Sequence, residues 1–143
     1  LRDGRLCCWF RAMYFDLKEG VASLFAMTFM LDGGMFSDLD LYKKKSFWEK
    51  HKTIRFDTLD EIAEYEILAV IVTTAYRPDS FRYYEYTGGS QEQFEKYVPD
   101  CKRLSLYDTG VNAEYGDKLI TLSTCEYSQN DGRLLVVAKK TED

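Results

Sequence analysis

The sequence predicts a mainly β domain with helices: a partial antiparallel β-barrel with helical insertions. Three observations predict it. Short apolar runs bounded by turn residues recur along most of the chain, as strands require. Only two stretches carry helical spacing and start signals. Aromatic residues make up 15% of the chain, with eleven Tyr, a composition that suits pleated surfaces.

The elements follow in order. Residues 1–31 mix charges and aromatics without a clean period, and parts suit either helix or strand. Asp32-Gly33-Gly34 is a turn signal. Ser37 or Asp38 is placed to cap a helix running to about Lys50, with Phe36, Leu39, Tyr42 and Phe47 towards a core. Thr53 to Asp57 alternates as a strand does. Ile62 to Thr74 begins with alternation and becomes wholly apolar over Leu68 to Val72, the pattern of a long strand entering a buried sheet. Arg77-Pro78-Asp79 breaks it. Phe81, Tyr83, Tyr84 and Tyr86 then mark an aromatic loop or irregular strand, packed in the core or shaping a substrate wall. Ser90-Gln91-Glu92-Gln93 has the capping-box pattern, so a helix is expected to about Leu104. Asp108-Thr109-Gly110 is another turn. Lys118 to Thr124 and Arg133 to Lys139 read as strands, joined across Asn130-Asp131-Gly132.

The whole chain, 143 residues, reads as one domain with no repeat, linker or low-complexity tract. The net charge of −5 argues against nucleic acid as a partner, because phosphate binding calls for a basic stripe. No apolar run approaches the roughly 18 residues of a membrane-spanning helix. No signal peptide is legible either, so any membrane anchor is expected only outside this chain. The four cysteines, Cys7, Cys8, Cys101 and Cys125, have no metal-ligand spacing. No cofactor and no metal are expected. Adjacent Cys7 and Cys8 suit a disulfide or metal pair, or simply two small apolar residues. Cys101, in a helical stretch, reads as structural.

Cys125 has a different context. It ends one apolar run, and Arg133 opens the next, eight residues on. If the two strands pair, a thiol and a guanidinium share one end of the sheet. Thiolate is the reactive form of cysteine, and a neighbouring cation favours it. A guanidinium stays charged and offers donors for an oxyanion. The pair therefore suits acyl transfer through a thioester. The plain alternative is a packed thiol beside a solvated edge charge, and spacing alone leaves both open.

Thr121-Leu122-Ser123-Thr124-Cys125 followed by Arg133 resembles the Thr-Leu-x-Thr-Cys…Arg signature of sortases, the cysteine transpeptidases of Gram-positive cell surfaces. Class B is the most similar. Leu106 to Val111, Tyr115 to Lys118 and the helix over 90–104 resemble that class in the segment before the nucleophile. Asp32 to Leu39 resembles the stretch after its catalytic histidine. The resemblance covers about residues 30–143 and implies a sortase-like barrel. It implies Cys125 as nucleophile and Arg133 as oxyanion partner, with Ser123 and Glu126 lining the substrate groove.

The same resemblance implies a sorting signal of Asn-Pro-x-Thr-Asn type as substrate, cleaved at Thr through a thioester. The acyl group would pass to an amine of the wall peptide or its precursor, at the outer face of the cell membrane. The family's histidine position falls on Thr28, whose hydroxyl cannot serve as an acid or base near neutral pH as imidazole does. His51, the one histidine of the chain, lies in a surface context. Impaired activity is therefore expected. A non-catalytic peptide-binding barrel is the alternative, and a hydrolytic cysteine peptidase would differ only in its acceptor. Residues 1–29 do not match the family. A degenerate sortase, a fragment of a longer protein, and an aberrant start joined to an authentic C-terminal part all stay open.

Overall fold

A computed structural model describes residues 23–26, 37–57, 62–74, 77–86 and 90–142, with the backbone alone at 23–26, 37, 38, 57, 84 and 125. The Asp32-Gly33-Gly34 turn, Phe36, Cys7 and Cys8 lie outside the described residues.

Among the described residues five strands form one sheet: β1 (Ser23–Ala26), β2 (Thr53–Asp57), β3 (Ile62–Thr74), β4 (Leu119–Glu126) and β5 (Gly132–Lys140). Their order is β1-β4-β5-β3-β2. The described connections hold two α-helices, α1 (Lys45–Lys50) and α2 (Gln91–Leu104), and two 3-10 helices, Ser37–Lys43 and Tyr83–Tyr86. The mainly β fold with helical insertions is as expected. Among the described residues the sheet is open, a barrel only in part. Every pairing is antiparallel except β1 with β4, which is parallel. Parallel neighbours need a long connection, and residues 27–118 separate these two strands in the chain.

β5 sits between β4 and β3 and is covered on both faces, which explains its unbroken apolar run. Leu135, Val136, Val137 and Ala138 are fully buried. One face packs Leu39, Tyr42, Trp48, Ile54 and Phe56 over Val70, Leu122 and Val136. The other packs Phe94, Tyr97, Val98 and Cys101 of α2 over Ile71, Leu119 and Leu135. Burying each such aliphatic side chain contributes roughly 1.5–3 kcal/mol.

The stretch expected as one helix to Lys50 is two pieces. Leu39 and Tyr42 are three residues apart and both buried, a spacing that the tighter 3-10 turn aligns. Lys44 then turns extended, at φ −94° and ψ 119°, before α1 begins. The α2 start is as expected: the Ser90 side chain accepts a hydrogen bond from the Gln93 N–H at 3.2 Å. Only that half of the capping box forms, because Gln93 Oε1 has no partner among the described residues. The aromatic tract is a 3-10 helix, not a strand. Phe81 stacks on Tyr97 of α2 with centroids 6.0 Å apart.

The segment after α2 straps the sheet. β3 shifts register against β5 between Ile67 and Ala69, which breaks the regular ladder there. Thr109 Oγ1 donates to Leu68 O at 2.7 Å, and the Leu106 N–H donates to Val70 O at 2.8 Å. Tyr107 donates to Tyr42 O at 2.7 Å, fastening the strap to the first 3-10 helix.

Candidate active site

β4 and β5 run two residues and one residue further towards the loop than the apolar runs suggested. Cys125 therefore lies inside β4, and Arg133 is its direct cross-strand partner. Arg133 is also paired with Thr73 of β3. Positions 125, 133 and 73 thus form one row across three adjacent strands. Neighbouring strands lie about 4.8 Å apart, so the register sets 125 and 133 within reach of one ligand. Arg133 is half-buried and donates from Nη1 to Gly132 O at 2.9 Å.

Alternation along β4 sorts its neighbours by face. Thr121 and Ser123 are in phase with position 125, on the α2 side. Both hydroxyls are buried and bonded to tyrosines: Ser123 Oγ to Tyr83 OH at 2.9 Å, and Thr121 Oγ1 to Tyr97 OH at 2.6 Å. Burial pushes the Tyr97 phenol well above its usual range, with the neighbouring Cys101 adding to the effect and the Thr121 hydrogen bond opposing it. Sequence reasoning missed both tyrosines as partners of this strand. The signal was present in the alternation of hydroxyls at 121 and 123, which buried positions must satisfy. An open groove of about 500 Å³ borders the row at Thr73, walled by Phe81, Arg82, Tyr86 and Arg103.

Glu126 lies on the opposite face. It is 4% exposed, and its carboxylate accepts from Lys43 Nζ at 2.5 Å, from the Ser128 N–H at 3.1 Å and from Ser128 Oγ at 2.6 Å. Burial alone raises its pKa, but the hydrogen bonds and the Lys43 charge outweigh that and hold it below its usual value. Ser123 and Glu126 are therefore not brought together. Gly132 is the partner of Glu126 in the last rung. A Cβ there would stand 2.2 Å from Glu126 O.

No family model matches the sequence. The chain is 37% identical over 111 residues to Sortase B of Staphylococcus aureus strain NCTC 8325 / PS 47, a match covering 76% of this chain and 43% of that protein. The solved structure of sortase B from Listeria monocytogenes superposes with a TM-score of 0.73 at 32% identity, covering 90% of this chain and 68% of that one. The chain belongs to the class B sortases. A Staphylococcus aureus sortase B–substrate complex superposes equally well, with a TM-score of 0.73 at 30% identity over 86% of this chain and 56% of that one. The chain spans under half the length of the curated relatives it matches.

In this class B sortase the described residues include the Cys125 backbone and Arg133, whereas Thr28 lies outside them. β1 ends at Ala26, aligned with Ser123, and Thr28 follows two residues later in the chain. His51 caps the end of α1, its ring 4.3 Å from that of Phe47, among residues packed on the face opposite Ser123. Cys101 of α2 is fully buried, and desolvation pushes its thiol up to about 12. That leaves it inert beside any surface thiol. Among the described residues no group of His, Cys, Asp and Glu is arranged to hold a metal, and no helix is long and apolar enough to cross a membrane.

Proposed function

We propose that the row through positions 125 and 133 is the reactive centre of a cysteine transpeptidase acting on a cell-wall sorting signal of Asn-Pro-x-Thr-Asn type. The supporting observation is the direct pairing of Cys125 with Arg133 across β4 and β5. The Cys125 thiolate attacks the Thr carbonyl carbon of the signal. Arg133 donates to the oxyanion of the tetrahedral intermediate. The scissile C–N bond breaks, the leaving amine takes a proton, and a thioester remains. An amine of the wall peptide or its precursor attacks the thioester, forming a new amide and releasing the thiolate. One sortase B relative is complexed with triglycine, a peptide whose free amine is of the acceptor kind. The Ser123 hydroxyl, bonded to Tyr83, supports β4 beside position 125, and Glu126 supports it from the opposite face. The site would work at the outer face of the cell membrane.

Both proton transfers need an acid or base. Thr28 at the histidine position supplies none, and losing such a group costs roughly 10²–10⁴-fold in rate. This chain is therefore a weak or inactive transpeptidase as it stands. The same threonine favours a second reading, a barrel that holds sorting peptides without cleaving them. A fluorogenic sorting peptide separates the two. On the first reading a covalent adduct forms, disappears in Cys125→Ala and accumulates faster in Thr28→His. Peptide binding without an adduct in all three forms would establish the second reading and end the first for this chain.

A further inference from the structure

The Cys125–Arg133 rung is the last but one of its ladder. Beyond it stand the Glu126–Gly132 rung and five exposed residues, 127–131. Ladder ends open most easily, so something must keep the thiol position and the guanidinium at their paired distance. Among the described residues, the reverse face offers the anchor. There the Glu126 carboxylate joins three parts of the molecule: β4 itself, the loop through both Ser128 donors, and the first 3-10 helix through Lys43. Asp40, one helical turn before Lys43, holds the same ammonium at 2.7 Å and fixes its direction. The charged groups described against Glu126 are thus Lys43 with its partner Asp40. Lys43 is 29% exposed at its side chain and Glu126 2%, so solvent screens the pair only in part.

We propose that Lys43 is a positioning residue of the site, acting through Glu126 to hold the Cys125–Arg133 rung closed from the face opposite the substrate. It touches no reacting atom. This rests on the reading of Cys125 and Arg133 given above. With the bracket cut, the end of the ladder opens and Arg133 spends less time beside the thiolate. The thiol then titrates higher, because the attraction that favours its charged form weakens with distance.

The test is the pH profile of Cys125 alkylation by iodoacetamide in the full chain, resolved by site with mass spectrometry. Arg133→Ala marks the profile without the cation and lies to higher pH than the parent. Lys43→Met, which keeps the apolar stem, is expected to move the midpoint towards Arg133→Ala by about one pH unit, roughly tenfold slower at neutral pH. Lys43→Arg restores the parent profile, and amide exchange at 125–133 quickens in Lys43→Met alone. A Lys43→Met profile that overlies the parent, with Arg133→Ala still displaced, overturns the bracket and leaves the transpeptidase reading standing. Coincident parent and Arg133→Ala profiles overturn the thiol–guanidinium reading itself, and the bracket with it. Should Lys43→Met not fold, Glu126→Gln is judged by the same criterion.

Discussion

At the scale of single residues, the hairpin tip shows how one letter can be read for the wrong reason. Asn130-Asp131-Gly132 is a turn signal because glycine tolerates positive φ. In the molecule the positive φ falls on Asp131, at 55°. Gly132 is needed for space instead: it opens β5 with its α-carbon pressed against the Glu126 backbone. Nothing in a linear pattern distinguishes those two demands. The consequence is specific. Gly132→Ala places a methyl group 2.2 Å from a carbonyl oxygen, and backbone must move to admit it. The expected cost is about 1–3 kcal/mol, as for overpacking a tight site, read as a lower urea midpoint with an unchanged slope. An unaltered midpoint would mean that the turn relaxes freely.

At the scale of elements, legibility followed the strength of local signals. β3 and α2 were legible because each has a long periodic or apolar run and a clear boundary. For α2 the boundary is chemical: Ser90 takes the Gln93 N–H that the helix leaves unsatisfied. Ser90→Ala is expected to lose about 1 kcal/mol and to raise amide exchange in the first turn of α2. Equal exchange rates in the two proteins would show that water caps the helix as well as serine does. The first helical stretch reads as one helix in the sequence because Leu39 and Tyr42 fit either helix type at one-turn range. Lys44 breaks the path without a glycine or proline to announce it. Loop positions were weaker still. The strap at 105–109 satisfies β3 through Ser105, Leu106 and Thr109, contacts some 35 residues or more apart in sequence that no window sees.

At the scale of the whole molecule, the site is a property of packing on both faces of one sheet. The pairing of positions 125 and 133 was legible from the Thr-Leu-x-Thr-Cys…Arg pattern and the turn between them. The face of each neighbour was not, since Ser123 and Glu126 are three positions apart and alternation sends them to opposite sides. That separation gives the fold a pH signature. Glu126 titrates below its usual range when folded. Lys43 titrates above its own: burial opposes this, but hydrogen bonds to Asp40 and Glu126 outweigh it. A depressed carboxylate stabilises above its unfolded value, near pH 4.3, and loses that contribution as pH falls through the folded value. A raised ammonium stabilises below its unfolded value, near 10.4, and loses that contribution as pH rises through the folded value. The ion pair is therefore at full strength between about pH 4.3 and 10.4. Across that window Glu126→Gln should be less stable than the parent by about 2 kcal/mol, the scale of a buried hydrogen bond to a charged group. As pH falls below the unfolded value the two denaturation midpoints should converge progressively, and they meet once the folded carboxyl is protonated too. A gap that persists undiminished at pH 3 would show that shape, not charge, makes Glu126 matter beneath the site.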